Sequence, residues 1–316
     1  MRSPDGRTLA PMATDSTPDA PGLCFGSVAE AYDRGRPGYP RAAVAWLAGE
    51  QPLSVLELGA GTGKLTEHLV ALGHDVHATD PDPRMLDRLG TRLPELRVSQ
   101  TSAEDIPAAD ATYDLVIAAD ADAWFDADKA LPEIARVLKR GGTFAVVRNV
   151  RDERIPWVKR LGNLIGHHAT GAGVGEAIDS SPYFGPADET AVKHWQVIDR
   201  SSVQDLARSL PDIAALDRAG QDAKVGEVLA FYDDFGRGMD GMQLPWVTEC
   251  FRAVVGIQPK TIRQEPTPAS GTPAAEPAVE AAPEELVGED TVPVALAPAV
   301  EPPADDDSGM LLIDFR

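Results

Sequence analysis

Through the first half of the chain, short apolar runs alternate with stretches in which apolar residues return every three or four positions. The runs near 53–58, 75–79, 96–100, 113–118 and 142–149 predict strands, and the intervening stretches near 62–72, 83–92 and 127–139 predict helices. Strand and helix in strict alternation build a parallel sheet with helices on both faces, a doubly wound α/β fold. Tyr113 to Ala119 is apolar nearly throughout, as a strand covered on both faces must be. From Arg151 to Asp188 the pattern loosens into a connection that is glycine-rich between Gly162 and Gly175, the kind of long insert that covers a site. Val192–Ile198 and Trp246–Val255 then predict two closing strands, with helices at 201–209 and 221–235 between them.

The chemistry concentrates where the first strand ends. Val55-Leu56-Glu57-Leu58-Gly59-Ala60-Gly61-Thr62-Gly63-Lys64 runs from an apolar strand through an acid and three alternate glycines into a helical pattern. Such a turn lets backbone approach a ligand closely while the next helix offers free N–H groups. A phosphate-cradling P-loop is excluded, because Leu58 and Leu65 stand where it needs Gly and Ser or Thr. A dinucleotide fingerprint wants Gly in place of Lys64 and has no use for Glu57. That reading, a nicotinamide-dependent oxidoreductase, is weakened and stays open.

The next predicted strand ends in Asp80-Pro81-Asp82-Pro83, about twenty residues beyond the glycines, the distance at which an acid meets a ribose in a doubly wound sheet. Glu104-Asp105 follows the third apolar run. Taken singly, such acids are helix caps or solvated loop residues, and Asp82 and Asp126 read that way. Taken in order at strand ends, Glu57, Asp80 and Asp105 mark one ligand site.

These residues resemble the class I S-adenosylmethionine-dependent methyltransferases, and among them the small-molecule group called type 11. The resemblance runs from about Phe25 to Val255. Phe25-Gly26-Ser27-Val28-Ala29-Glu30-Ala31-Tyr32-Asp33-Arg34-Gly35-Arg36-Pro37-Gly38-Tyr39-Pro40 is similar to the family's lid, Leu131 to Val147 to its helix, Gly-Gly turn and fifth strand, and Pro245-Trp246-Val247-Thr248 to the entry of its last strand. The resemblance implies a Rossmann-like sheet, mostly parallel with an antiparallel last strand, that binds S-adenosyl-L-methionine. It implies that Gly59, Ala60, Gly61, Thr62 and Gly63 lie against the methionine part, with Glu57 on the amino group. Asp80 would bind the ribose hydroxyls, Met85 with Glu104-Asp105 would frame the adenine, and Pro81 and Ala119 would also contact the cofactor. Tyr32, Arg36, Tyr39 and Trp124 would line the acceptor side, Arg36 suiting an anionic acceptor because its planar fork matches a carboxylate.

The chain departs from that family after the fourth strand, where Asp120-Ala121-Asp122-Ala123-Trp124 replaces a common Gln-Ala-aromatic-His-Trp. Either the substrate differs, or Asp120 or Asp122 handles the proton, or transfer has decayed and the protein only binds the cofactor. Two acids capping the helix that begins near Ala127 is the plainer alternative.

Composition narrows the partners. The 316 residues carry a formal net charge of −21, of which the twelve acids and one Arg from Gln264 onward account for about half. An acidic body argues against a nucleic-acid substrate and for a small acceptor. The segment after residue 258, rich in Pro and Ala, predicts a disordered acidic tail whose end, Met310-Leu311-Leu312-Ile313-Asp314-Phe315, is a candidate protein-docking motif. Residues 1–22 predict another disordered end, neither signal peptide nor anchor, leaving a methyltransferase domain over 23–258 with lid 25–40 and insert 151–190. No run reaches membrane-spanning length. Cys24 and Cys250 lack metal spacing and His167-His168 has no third partner, so no metal is expected, and reduced thiols fit a cytoplasmic protein.

Overall fold

The computed structural model describes residues 23–166, 174–235 and 241–259. The expectations for residues 1–22, for His167-His168, for the tail beyond 259 and for its 310–315 motif lie outside the described residues. The helices are α1 (Ala29–Gly35), α2 (Arg41–Ala48), α3 (Thr66–Ala71), α4 (Pro83–Arg92), α5 (Ala127–Val137), α6 (Pro156–Ile165), α7 (Val174–Ser180), α8 (Ser202–Arg208), α9 (Pro211–Ala214) and α10 (Arg218–Phe235). The strands are β1 (Ser54–Leu58), β2 (Asp75–Asp80), β3 (Arg97–Gln100), β4 (Tyr113–Ala119), β5 (Leu138–Arg151), β6 (Asp188–Ile198) and β7 (Met242–Val254).

The seven strands form one sheet in the order β3-β2-β1-β4-β5-β7-β6. All run parallel except β7, which is antiparallel to both β5 and β6. This is the Rossmann-like, mostly parallel sheet with an antiparallel last strand. From β1 the chain winds outward through β2 and β3, then returns to lay β4 on the other side of β1. Ligands of doubly wound sheets bind where the order reverses, outside the carboxyl ends of those strands. Glu57 lies there, in register with Ala78 on one side and Ile117 on the other.

Period-two alternation divides the strands between two cores. Leu56, Leu58, Val116, Ala118, Phe144 and Val146 pack with Ile134 of α5 on one face. Val55, Leu115, Ile117, Ala145 and Val147 pack with Val44 and Leu47 of α2 and Leu69 of α3 on the other. A third cluster joins Leu161 of α6, Leu206 of α8, Val228 of α10 and Trp246 of β7.

Several boundaries correct the sequence reading. The helix expected from 62 begins at Thr66, because the glycine loop continues as turns through Leu65. Helix α5 stops at Val137, and the expected Gly-Gly turn is part of β5. Gly141, at φ +75°, sits where the pairing with β4 jumps from Tyr113–Leu138 to Leu115–Thr143, so the extra residues bulge within a continuous strand. The expected loose insert contains the regular helix α6, whose Val158, Leu161 and Ile165 are buried at helical spacing, and β6 begins inside its range. Proline at the first helical position opens α6, and Pro83 with the Asp82 cap opens α4, where Asp82 Oδ1 accepts from the Arg84 N–H at 3.0 Å.

Candidate active site

A cleft of about 680 Å3 opens at the carboxyl ends of β1, β2 and β4. Gly59, Gly61, Asp80, Pro81, Met85, Glu104 and Ala119 line it, joined by Phe25, Tyr32, Asp120, Trp124, Phe125 and Lys129. A narrow niche behind it is lined by Glu57, Gly59, Ala60, Thr62, Lys64, Tyr39, Arg36 and Ala119. On the far side lies a chamber of about 120 Å3 bounded by Phe25, Tyr32, Arg36, Asp120, Asp122, Trp124, Arg148, Asn149, Leu210, Pro211 and Glu249. Of the residues read from the sequence, Gly63 and Asp105 line none of these spaces. A Cβ at Gly63, φ +88°, would meet Leu89 Cδ1 at 2.3 Å, so that glycine lets the loop pack on α4. Asp105 is exposed.

Glu57 is fully buried, and neither carboxylate oxygen has a hydrogen-bond partner; the hydroxyls of Thr62 and Thr66 are likewise buried and unpartnered. Burial pushes the Glu57 carboxyl up to about 8, the nearby Thr66 hydroxyl pulling the other way and the Asp80 charge adding to the rise. A buried acid without a partner is costly, and its natural complement is a cationic donor entering the niche.

Asp80 closes β2. Its Oδ2 accepts from the Gly61 N–H and its Oδ1 from the Asp82 N–H, both at 2.9 Å, so the carboxylate pins the glycine loop and retains lone pairs toward the cleft. Burial raises Asp80 to about 6 against the pull of those two N–H groups. Gly61, at φ +57°, borders the cleft, and a Cβ there would stand in van der Waals contact with Met85 Cε at 3.5 Å and Tyr32 Cε1 at 3.9 Å. Pro81, Met85 and Ala103 supply an apolar slot beside it. Glu104 Oε1 accepts from the Asp126 N–H at 2.9 Å, tying one cleft wall to the start of α5.

The two acids after β4 are engaged rather than capping α5. Asp122, 4% exposed, forms a two-point ion pair with Arg148, with Arg148 Nε at 3.1 Å from Oδ1. Asp120 takes a left-handed backbone, φ +51°, which is strained for a residue with a side chain. Its Oδ2 accepts from the Tyr39 hydroxyl at 2.7 Å and its Oδ1 from the Asn149 N–H at 3.1 Å. Burial raises the Asp120 carboxyl, opposed by Arg36 and those two donors. Burial, reinforced by the Asp120 charge, holds the Tyr39 hydroxyl well above its usual range, and burial brings Tyr32 to about 12.

The segment expected to form a lid, residues 25–40, contributes several of these lining residues. Phe25 meets Tyr32 edge-on at 5.7 Å between ring centres and Trp124 at 5.5 Å, and the Arg36 guanidinium lies over the Tyr32 ring at 5.2 Å. Arg36 donates to Ser209 through Nε to Oγ at 3.1 Å and Nη2 to the carbonyl at 3.0 Å. Asn149 donates to the Gly38 carbonyl at 3.2 Å while its Oδ1 accepts from Thr248 at 2.7 Å. Sequence reasoning did not single out Arg148, Asn149, Ser209 or Glu249. Arg148 and Asn149 carry a visible signal, two polar residues inside an apolar strand, whereas Ser209 and Glu249 carry none.

The sheet order and the cleft at its switch point define a ligand-binding domain of the doubly wound α/β class. A profile described as methyltransferase domain matches residues 56–146. An uncharacterised methyltransferase of Mycobacterium tuberculosis (strain ATCC 25618 / H37Rv) is 39% identical over 236 residues, spanning 74% of this chain and 96% of that protein. An uncharacterised methyltransferase-like protein of Schizosaccharomyces pombe is 37% identical over 143 residues, 43% of this chain and 56% of that one. The solved phosphoethanolamine N-methyltransferase 2 of Haemonchus contortus, in complex with S-adenosyl-L-methionine, overlays with a TM-score of 0.45 at 15% identity, over 74% of this chain and 57% of that one. The chain belongs to the methyltransferase family.

Proposed function

We propose that this protein uses S-adenosyl-L-methionine to methylate a small-molecule acceptor in the cytoplasm. The observation that carries the reading is Glu57, a fully buried carboxyl with the Thr66 hydroxyl nearby but no cationic partner among the described residues, in a niche that opens beside the glycine loop. The amino group of S-adenosylmethionine supplies the missing cation, and Lys64 and the Thr62 hydroxyl in the same niche suit its carboxylate. Asp80 has lone pairs free for ribose hydroxyls, and Pro81 and Met85 suit the adenine. When bound, the cofactor would supply an electrophilic methyl on sulfur. The chain's own residues hold the acceptor in line and exclude water, which accounts for most of the acceleration when the leaving group is neutral. Among the described residues no helix is long and apolar enough to cross a membrane.

The test is calorimetric titration with S-adenosylmethionine, S-adenosylhomocysteine, NAD and NADP. The first two bind and the nicotinamide cofactors do not; the reverse result refutes the reading. A second reading, cofactor binding without transfer, draws on Ala123 standing where relatives commonly carry His and on the engagement of both Asp120 and Asp122. Turnover with a defined acceptor separates the two.

A further inference from the structure

The charges around the acceptor chamber are unevenly matched. Arg148 is compensated on its own wall: Asp122 holds it at two points, and the charges of Asp120 and Glu249 add to its protonation. Arg36 makes no ion pair of 4 Å or less among the described residues. Neutral groups orient it, with Ser209 holding Nε and Nη2 and the Tyr32 ring lying beneath it, and Nη1 makes no hydrogen bond among the described residues. Ser209 is itself fully buried and fixed by a 2.7 Å bond to the Leu206 carbonyl, so the guanidinium is held in place by neutral groups, with the Asp120 charge acting on it from beyond ion-pair distance. Arg36 borders both the niche and the chamber, whereas Lys64 and Thr62 line only the niche, where they furnish a cation and a donor for the cofactor's carboxylate and leave Arg36 able to serve the chamber.

Resting on the proposed methyltransferase reading, we infer that the acceptor is a carboxylate seated on Arg36 and that the product is a methyl ester. A carboxylate oxygen displaces the thioether from the methyl carbon: one O–C bond forms, and the C–S bond breaks with its electron pair left on sulfur. The carboxylate's negative charge and the sulfonium's positive charge are lost together, and no proton is taken up or released. A site whose Asp120 and Asp122 are engaged by Tyr39, Asn149 and Arg148 suits that reaction. A hydroxyl or ammonium acceptor, by contrast, has to surrender a proton.

The full chain loaded with S-adenosylhomocysteine is titrated with acetate, malonate and benzoate, with phenol and methylammonium as controls. The carboxylates bind at millimolar concentration or below and the controls do not. Arg36→Gln weakens the carboxylates at least about tenfold, as loss of charge-assisted hydrogen bonds requires. Ser209→Ala, which frees the guanidinium without removing it, weakens them less; the melting temperature of each variant shows that it is folded. With methyl-labelled cofactor, any label transferred to a bound carboxylate is released as methanol by mild base, the signature of an ester. Binding of phenol or methylammonium but of no carboxylate overturns the inference. So does an Arg36→Gln variant that loses S-adenosylhomocysteine as strongly as carboxylate, since the guanidinium would then serve the cofactor. If wild-type protein fails to bind S-adenosylhomocysteine at all, the methyltransferase reading falls first and this inference with it.

Discussion

Glu57→Gln should make the empty protein more stable while making it a poorer binder. The native carboxyl titrates near 8 against an ordinary value of 4.5. Between those pH values the unfolded chain has lost this proton and the folded chain keeps it, so the unfolded state binds fewer protons and stability falls as pH rises through the window. At about 1.4 kcal/mol per pH unit, the burden at pH 7 is on the order of 3 kcal/mol. Glutamine titrates in neither state. The variant should therefore melt roughly 6–12 °C higher at pH 7 and lose its advantage near pH 4.5. Binding shows the opposite face of the same residue. An ammonium ligand needs Glu57 ionised, so affinity for S-adenosylhomocysteine should rise about tenfold from pH 6 to 7 and about fivefold from pH 7 to 8, with close to one proton released per ligand at pH 6–7 and about half a proton at pH 8. Asp80, near 6, steepens this only at the acid end. Calorimetry in two buffers of different ionisation enthalpy counts the proton. Affinity flat from pH 6 to 8 without proton release, or a glutamine variant less stable than wild type at pH 7, would refute the assignment of Glu57.

Asp80→Ala should weaken S-adenosylhomocysteine by about 1.5–3 kcal/mol, because a charged acceptor for two hydroxyls is lost; an unchanged Kd removes Asp80 from the site. Gly61→Val should abolish cofactor binding, its side chain entering the cleft beside Met85 and Tyr32, while left-handed strain costs stability of about 1–2 kcal/mol; retained affinity by calorimetry would place the ligand elsewhere. Asp122→Asn should lower stability by about 3 kcal/mol in denaturant unfolding, because Arg148 keeps its burial without its partner; a loss below about 1 kcal/mol would show that the pair is a surface contact in solution.

Much of this site was legible because its parts are consecutive. The loop from Glu57 to Thr62, Asp80-Pro81 and Met85 each lie within a few residues of a strand end that apolar runs disclose, and the structure brings them to one cleft and its adjoining niche. Asp105 shows the limit: two adjacent acids point in different directions, and only Glu104 reaches the cleft wall. The smaller chamber was less legible, since its members come from the segment around α1, the turn after β4, from β5 and β7, and from the turn after α8, separated by more than two hundred residues. No local pattern announces that Ser209 will orient Arg36 or that Arg148 will claim Asp122. The acids after β4 were visible as acids; what holds them depends on partners that only the sheet supplies. Helix boundaries slipped for local reasons, Gly63 delaying α3 and Gly141 keeping β5 continuous where a turn was expected.

The strain at Asp120 links these pieces. A residue with a side chain held at positive φ costs on the order of 1–3 kcal/mol, and it persists where surrounding contacts over-determine it. Here the contacts come from both sides of the site. Tyr39, at the end of the lid, donates to one oxygen, and the backbone of β5 at Asn149 donates to the other. Asn149 in turn holds the lid through the Gly38 carbonyl and is held by Thr248 of β7. The lid is thereby fastened to the sheet through one strained carboxylate and one amide, directly between the niche with Glu57 and the chamber with Arg36. Removing the Tyr39 hydroxyl leaves the strain in place and takes away part of what holds it. Tyr39→Phe should therefore cost more than a surface hydrogen bond, about 1–3 kcal/mol, because a buried acceptor is left unmet. If Asp120 is fastened for position rather than for proton transfer, the same variant should slow turnover equally at pH 6 and pH 8. A loss confined to low pH would instead return Asp120 to the role of proton acceptor.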